Sequence, residues 1–323
     1  MPNPASSAPF ALPGLVALVG GSGFIGTAVA EAFAAAGWRV LAVCRNPDNA
    51  RHLKPLGDLG QVGARRADVR DPASLRTALA GADAVVNLVG ILDEKGGQRF
   101  ADVQARGAGN VAAAAAAVGA RAFVQLSAIG ADPKSPAAYA RTKAQGEAAV
   151  RAAFPTAAIV RPSLVFGAGD GFTNRFAGLI AASPAVPVIA PETRFQPVFV
   201  NDVAAAVLAI TQKQLAGEAG ATYELGGPDV LSMRQILGFI ADSIGQEKPL
   251  LDTPDLGARL LSSLGFLPGA PLTHDQYLML KSDNVAAAGL PGLAELGISP
   301  TALMAVAPQW LARYRVGGRF AAA

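Results

Sequence analysis

One cysteine, Cys44, and two histidines, His52 and His274, are all that the chain has of the residues that build disulfides and zinc sites. An intrachain disulfide is therefore excluded, and no metal-ligand spacing exists, so no metal is expected. Charge is also sparse, at 16% of residues against 51% hydrophobic ones, which suits a chain that buries a large core and keeps some apolar surface. The net charge of +3 is too small and too diffuse for nucleic acid, because no Lys/Arg run interleaved with aromatics occurs. From Met1 to Ala30 there is no charged side chain at all. That stretch is not read as a membrane span, since Leu12 to Gly26 carries Pro13 and five glycines and changes period at Ser22. It lacks the basic start of a signal peptide, so residues 1–13 are expected to be a loose tail and the location cytoplasmic. Cys44 reads as an inert buried thiol.

What the chain does have is an alternation of short apolar runs with alanine-rich stretches, the mark of a parallel sheet covered on both faces. Strands are expected at 15–19, 39–43, 61–64, 84–88, 122–126 and 157–160, with helices at 24–36, 73–80, 102–118 and 138–153 stopped by Gly37, Gly81, Gly119 and Pro155. Right-handed crossovers make this an α/β fold with a doubly wound sheet. The expected division is a core over 14–165, lid and substrate loops over 166–194, a return to the sheet over 195–230 and a small lobe over 231–323. Asn201-Asp202 is expected to cap a helix over 203–212, and Ser232 one over 233–244.

The first strand runs into Gly20-Gly21-Ser22-Gly23-Phe24-Ile25-Gly26 and then a helix. Glycines at that junction let a phosphate approach the backbone and a free helix N-terminus, so Gly20, Ser22, Gly23, Phe24, Ile25 and Gly26 are expected to cradle a dinucleotide pyrophosphate. An acid that accepts from a ribose 2′-OH is missing at the end of the second strand, where Arg45 can pair with a 2′-phosphate. NADP(H) is accordingly expected over NAD(H). Asp68-Val69 follows the third strand, as an adenine contact or as the cap of a turn, and Leu88-Val89-Gly90 ends the fourth against the cofactor. Ser127 closes the fifth strand, and Tyr139 and Lys143 lie one helical turn apart on one face. Together they form a hydride-transfer set: Tyr139 as general acid/base, Lys143 lowering its pKa and holding the ribose, Ser127 orienting a carbonyl.

Through these residues, and through Arg161-Pro162-Ser163 with Gly167, the chain resembles the short-chain dehydrogenases in their extended and atypical forms. Asn87–Gly90, Ser127–Asp132, Phe195–Ala204, Tyr223–Pro228 and Asp275–Val285 narrow the resemblance, over about residues 15–316, to the atypical branch that includes a nucleotide-binding accessory subunit of respiratory complex I and its bacterial relatives. The resemblance implies a tightly held NADP(H), partners among complex I subunits or a quinone-linked assembly, and peripheral association with the cytoplasmic face of the inner membrane. Gln104 stands where related extended enzymes carry an asparagine that supports a proton relay. A free oxidoreductase using Ser127, Tyr139 and Lys143 is the alternative, and a sugar-nucleotide epimerase a third. The leucines at 256, 260, 261, 264 and 267 have helical spacing and are expected to face the lobe's own core, with membrane docking the other reading. Trp310 and Tyr314 are expected to anchor a C-terminal helix.

Overall fold

The computed structural model describes residues 14–263 and 272–318, so the expected tail and Leu264 and Leu267 lie outside the described residues. The alternating runs become β1 (Leu15–Val19), α1 (Phe24–Ala35), β2 (Arg39–Cys44), β3 (Val62–Arg66), α2 (Pro72–Leu79), β4 (Ala84–Asn87), α3 (Gly107–Ala117), β5 (Ala122–Leu126), α4 (Ala138–Ala153) and β6 (Ala158–Pro162). There follow β7 (Val165–Phe166), α5 (Thr173–Ala182), β8 (Val186–Ile189), β9 (Arg194–Phe195), β10 (Val198–Phe199), α6 (Val200–Leu215) and β11 (Thr222–Leu225). The central sheet has seven strands in the order β11-β6-β5-β4-β1-β2-β3, every neighbouring pair parallel. From β1 the chain goes to β2 on one side and later to β4 on the other, which opens a crevice above the carboxyl ends of β1 and β4. Ligands of open α/β sheets sit at such a switch point.

Successive side chains of each strand serve opposite faces. Val16, Leu18, Val40, Ala42, Val86 and Val160 pack with Val29 and Phe33 of α1 and with Val203, Val207 and Ile210 of α6. Ala17, Val19, Leu41, Val85, Phe123 and Ile159 meet Leu75 and Leu79 of α2 and Val111, Ala112 and Ala115 of α3. Each fully buried Val, Leu or Ile contributes on the order of 2 kcal/mol. Alanine on the inner side of α3 lets that helix lie close to the sheet.

Three expectations are corrected here. The helix expected over 102–118 begins with a π-helical turn, Ala101–Arg106, before α3. Gly146 of α4 makes room for it, since a Cβ there would stand 2.2 Å from the Gln104 carbonyl. Asn201 and Asp202 do not cap the next helix: α6 starts at Val200, and the Asp202 carboxylate accepts from the backbone N–H and hydroxyl of Thr301. Leu256 and Leu260 of α8 (Asp255–Ser263), after α7 (Met233–Ser243), are 81% and 67% exposed while Ala258 faces inward, so these two leucines lie on the outer side rather than in the lobe's core.

Ser232 does cap α7, through a capping box with Gln235. Trp310 and Tyr314 lie in short helical turns instead of one helix, but both anchor the C-terminus to α5, through Thr173 and Asn174. The tail then returns to the sheet. Arg194 pairs with Asp283, Ser163 with Asn284, Gln196 with Ala286, Glu224 with Ala287 and the Glu224 N–H with the Pro291 carbonyl, so residues 283–291 run across the carboxyl ends of β6 and β11. No helix of the described residues is long and apolar enough to cross a membrane.

Candidate active site

The glycine loop is built from short-range necessity on one side and openness on the other. Gly20 has φ of +85°, and its N–H donates to the Val43 carbonyl at 2.8 Å, tying the loop to β2. A Cβ on Gly26 would stand 2.6 Å from the Gly20 carbonyl, so only glycine lets α1 start this close to β1. Gly23 differs. A Cβ there would meet only the Gly20 carbonyl, at 3.4 Å, and Gly23 is exposed. It is the N-cap of α1, with extended backbone and no side-chain cap. The protein therefore has no packing reason for glycine at 23, whereas a pyrophosphate lying on the free amides of α1 has one. Ser22, Phe24 and Ile25 are all half-buried, Phe24 against the backbone of Gly167.

Arg45 lies just past β2, exposed and without an ion pair among the described residues. Asp68 is engaged: Arg70 donates to both its oxygens at 2.9 and 2.6 Å, and the Arg70 N–H bonds the same carboxylate. Those bonds, with Arg45 adding a weaker field, hold its carboxyl below the usual range against the opposing effect of burial. The cap of α2 is Asp71, which accepts from the N–H groups of Ala73 and Ser74. Val69 is buried, and its carbonyl accepts from Asn110. A hollow of about 530 Å³, lined by Arg70, Asp102, Arg106, Gly109 and Asn110, adjoins this corner.

At the other end of the crevice, the Leu88 N–H bonds Val19 and the Val89 N–H bonds the buried Asn87 side chain, leaving Gly90 exposed. A Cβ on Gly90 would stand 3.1 Å from the Lys143 Nζ and 3.5 Å from the Gln104 Oε1. Lys143 is 6% exposed, and its Nζ reaches the Leu126 carbonyl at 3.4 Å and lies 5.7 Å from the centre of the Tyr139 ring. Gln104, also buried, accepts from the Ile91 N–H and donates to Thr142. It fastens the loop after β4 to α4. The elements thus bring Gly90, Tyr139 and Lys143 together at one end of the crevice, while Gly20 of the glycine loop meets Leu88 and Val89 beside them.

Two features depart from expectation. The Ser127 hydroxyl donates to Glu147 at 2.5 Å rather than standing free for a carbonyl. Glu147 in turn takes a bidentate pair from Arg161, at 2.8 and 2.6 Å, and Arg161 reaches Glu224 at 3.3 Å. Ser127 is thereby the end of a buried ionic network, and the bonds that Arg161 donates to Glu147 raise its own pKa. Second, the Tyr139 phenol is pushed up to about 12 by burial, so the nearby ammonium does not prevail. Lys143 is itself lowered to about 8 by burial, with Glu147 acting in the opposite sense. At neutral pH Tyr139 is a protonated phenol and Lys143 is largely an ammonium. That pair can give a proton to a carbonyl oxygen and hold a ribose.

Sequence reasoning missed Glu147, although it follows Lys143 by four residues and so shares its face of α4. It also gave no role to Asp275, whose carboxylate bonds the N–H groups of Ala138 and Tyr139 at 2.5 and 2.9 Å.

Comparisons with known proteins identify the family and agree with the fold. Residues 16–226 match the model of the NAD dependent epimerase/dehydratase family. The chain is similar to "NADH dehydrogenase [ubiquinone] 1 alpha subcomplex subunit 9, mitochondrial" of Arabidopsis thaliana, with 33% identity covering 94% of this chain and 79% of that protein. It is 32% identical to a protein named "Ceramide reductase" from Caulobacter vibrioides, over 76% of this chain and 75% of that one. In fold it resembles the NADPH-dependent quinone oxidoreductase of Escherichia coli complexed with NADPH, with a TM-score of 0.71 and 23% identity over 92% and 99% of the two chains. By its glycine loop, its sheet order and its match over most of its length, the chain belongs to the NAD dependent epimerase/dehydratase family.

Proposed function

We propose that the chain holds NADP(H) across the β1/β4 crevice and serves as an accessory or assembly component linked to respiratory complex I or to quinone metabolism, with a reductase-type site retained at Tyr139 and Lys143. The observation that carries the dinucleotide is Gly23, exposed at an uncapped helix start, where packing does not ask for glycine. Arg45, exposed and free of an ion pair among the described residues, supports the 2′-phosphate and hence NADP(H). The link to complex I rests on similarity that covers 94% of the chain and extends through the tail that fastens β6 and β11. Peripheral membrane association on the cytoplasmic side belongs to the same proposal.

The second reading, a free NADP(H)-dependent reductase of a quinone-like or lipid carbonyl, is favoured by the burial of Lys143 beside a protonated Tyr139 and by the relative named as a ceramide reductase. NADPH, when bound, supplies the hydride. Tyr139 donates its proton to the carbonyl oxygen, Lys143 holds the ribose and stabilises the phenolate that remains, and Gln104 keeps the Gly90 loop in place. Ser127 acts by fixing Glu147 instead of by donating to the carbonyl.

Calorimetry with NADPH and NADH tests the cofactor: NADPH should bind at least about tenfold more tightly, and Arg45→Asp should erase the difference. Tighter NADH binding would defeat it. Affinity purification from native membranes should recover respiratory subunits, whereas recovery only as a soluble monomer would leave the reductase reading. In that case Tyr139→Phe should abolish NADPH oxidation with a carbonyl panel.

A further inference from the structure

We propose that Asp275 is a positioning residue for Tyr139, an inference that rests on the reductase-type reading of the site. The N-cap of α4 is Ala137, which has no side chain able to accept a hydrogen bond. The next amides, of Ala138 and Tyr139, belong to the first turn and have no acceptor within their helix. Asp275 supplies both acceptors from 137 and 136 residues away, at 2.5 and 2.9 Å. It is a cap provided by the C-terminal lobe. One of the two capped amides is that of the tyrosine itself, so any displacement of the carboxylate is felt directly at the Tyr139 backbone.

Asp275 is held firmly in turn. It sits in the first turn of α9 (His274–Met279), whose start is closed by a capping box between Thr273 and Gln276. Another residue of α9, Tyr277, is 4% exposed and donates to Asp255 at 2.7 Å. It lines a cavity of about 370 Å³ with Pro191, Thr193, Ala258 and Lys281. The same short helix therefore touches both a lobe cavity and the start of α4. Lys143, by contrast, is one turn further along, and its Nζ is bonded to the Leu126 carbonyl. Loss of the cap moves Tyr139 and leaves the groups that hold the dinucleotide where they are.

That separation defines the test on the full-length chain. With NADPH and 9,10-phenanthrenequinone as the probe, Asp275→Asn, which keeps one acceptor oxygen, should lower kcat about tenfold, and Asp275→Ala about a hundredfold, as expected for a reacting group displaced by about an ångström. Affinity for NADPH should stay within about twofold. Unchanged kcat, or NADPH affinity falling in step with kcat, would overturn the proposal. Should Asp275→Ala not fold, the near-isosteric Asp275→Asn decides.

A second measurement needs no turnover. The chain has four tyrosines, so tyrosinate absorbance titrated in parallel with Tyr139→Phe isolates the Tyr139 phenol. Beside it, the Lys143 ammonium lies 5.7 Å from the ring centre, the Asp275 carboxylate accepts from the Tyr139 N–H at 2.9 Å, and Phe100 packs edge-on without charge. Burial is what raises the Tyr139 phenol, so a Tyr139 displaced by loss of the cap gives up part of that burial, and Asp275→Asn should lower the Tyr139 midpoint by about half a pH unit. An unchanged midpoint overturns the proposal even if no carbonyl is reduced. If Tyr139→Phe reduces the quinone as well as the wild type, the reductase reading falls separately.

Discussion

Replacing Lys143 with methionine should stabilise the protein without NADPH while disabling its site. The side chain is 6% exposed, and burial brings its pKa down to about 8 from an ordinary value of about 10.4. At about 1.4 kcal/mol for each tenfold change in proton affinity, keeping the ammonium inside costs roughly 3 kcal/mol. Methionine has nearly the same length and no charge to desolvate, so the variant recovers most of that amount. At roughly 2 °C per kcal/mol for a chain of this size, Tm at pH 7 should rise by about 5 °C. Because the folded-state pKa lies below the unfolded one, the cost is complete below pH 8 and fades as pH rises from about 8 toward 10.4. The two unfolding curves should therefore converge across that interval, as differential scanning calorimetry at pH 7, 8.5 and 9.5 can follow. NADPH at about 100 times its Kd should add about 2.7 kcal/mol to the wild type and, on the proposed role of Lys143 in holding the ribose, less to the variant. A variant less stable than wild type at pH 7, or a gap that does not narrow by pH 9.5, would refute the assignment of Lys143 as a strained, buried ammonium.

Four further variants probe the glycine loop, the buried ionic network and the outer side of α8. Gly26→Ala, whose Cβ would stand 2.6 Å from backbone of the glycine loop, should lower stability by several kcal/mol, whereas Gly23→Ala should leave the unfolding free energy measured in urea within about 0.5 kcal/mol and weaken NADPH binding at least about tenfold; equal effects at the two positions would contradict the division between packing and ligand glycines. Glu147→Gln breaks a bidentate buried pair with Arg161 and should cost about 3 kcal/mol in chemical denaturation, with a loss below about 1 kcal/mol counting against the network. Leu256→Ser with Leu260→Ser removes two exposed leucines and should change stability by less than about 0.5 kcal/mol; a larger fall would show that these side chains are covered in the folded protein.

What the sequence revealed of this molecule follows the range of the interactions concerned. The β1–glycine–α1 unit was legible because strand, turn and helix start are neighbours along the chain, and Gly26 serves a close approach to Gly20 and Gly21, within six residues. The α4 helix was legible from end to end, because alanine propensity and the spacing of Tyr139 and Lys143 are local properties. The π-helical turn at Ala101–Arg106 was not, since it depends on Gly146 meeting the Gln104 carbonyl across 42 residues of chain. For the same reason Asp202 looked like a cap for its own helix, when its partner is Thr301. The expected direction of the Tyr139 pKa failed on another ground: spacing places a lysine near a phenol but does not say how far both are removed from water. Outward leucines on α8 defeat the usual inference from an apolar stripe, because periodicity identifies a face without identifying what covers it.

The tail that crosses the carboxyl ends of β6 and β11 has a bearing on synthesis. Asn284 donates to the Ile129 carbonyl and binds Ser163, and Asp275 caps α4, so these loops and the start of α4 are finished by residues translated 155, 121 and 137 positions later. At about 5–20 residues per second, Asn284 leaves the ribosome's active centre on the order of ten to thirty seconds after Ser127. During that interval the nascent chain can form β1 to β5 and the glycine loop, but its Tyr139 lacks the Asp275 cap. A chain ended after residue 270 should therefore still acquire helix and sheet by circular dichroism yet show fast amide exchange at Ala138 and Tyr139. Protection of those two amides in the shortened chain would show that the site matures without its C-terminus. The order of translation thus delays the capping of Tyr139 until Asp275, 136 residues later, has been made.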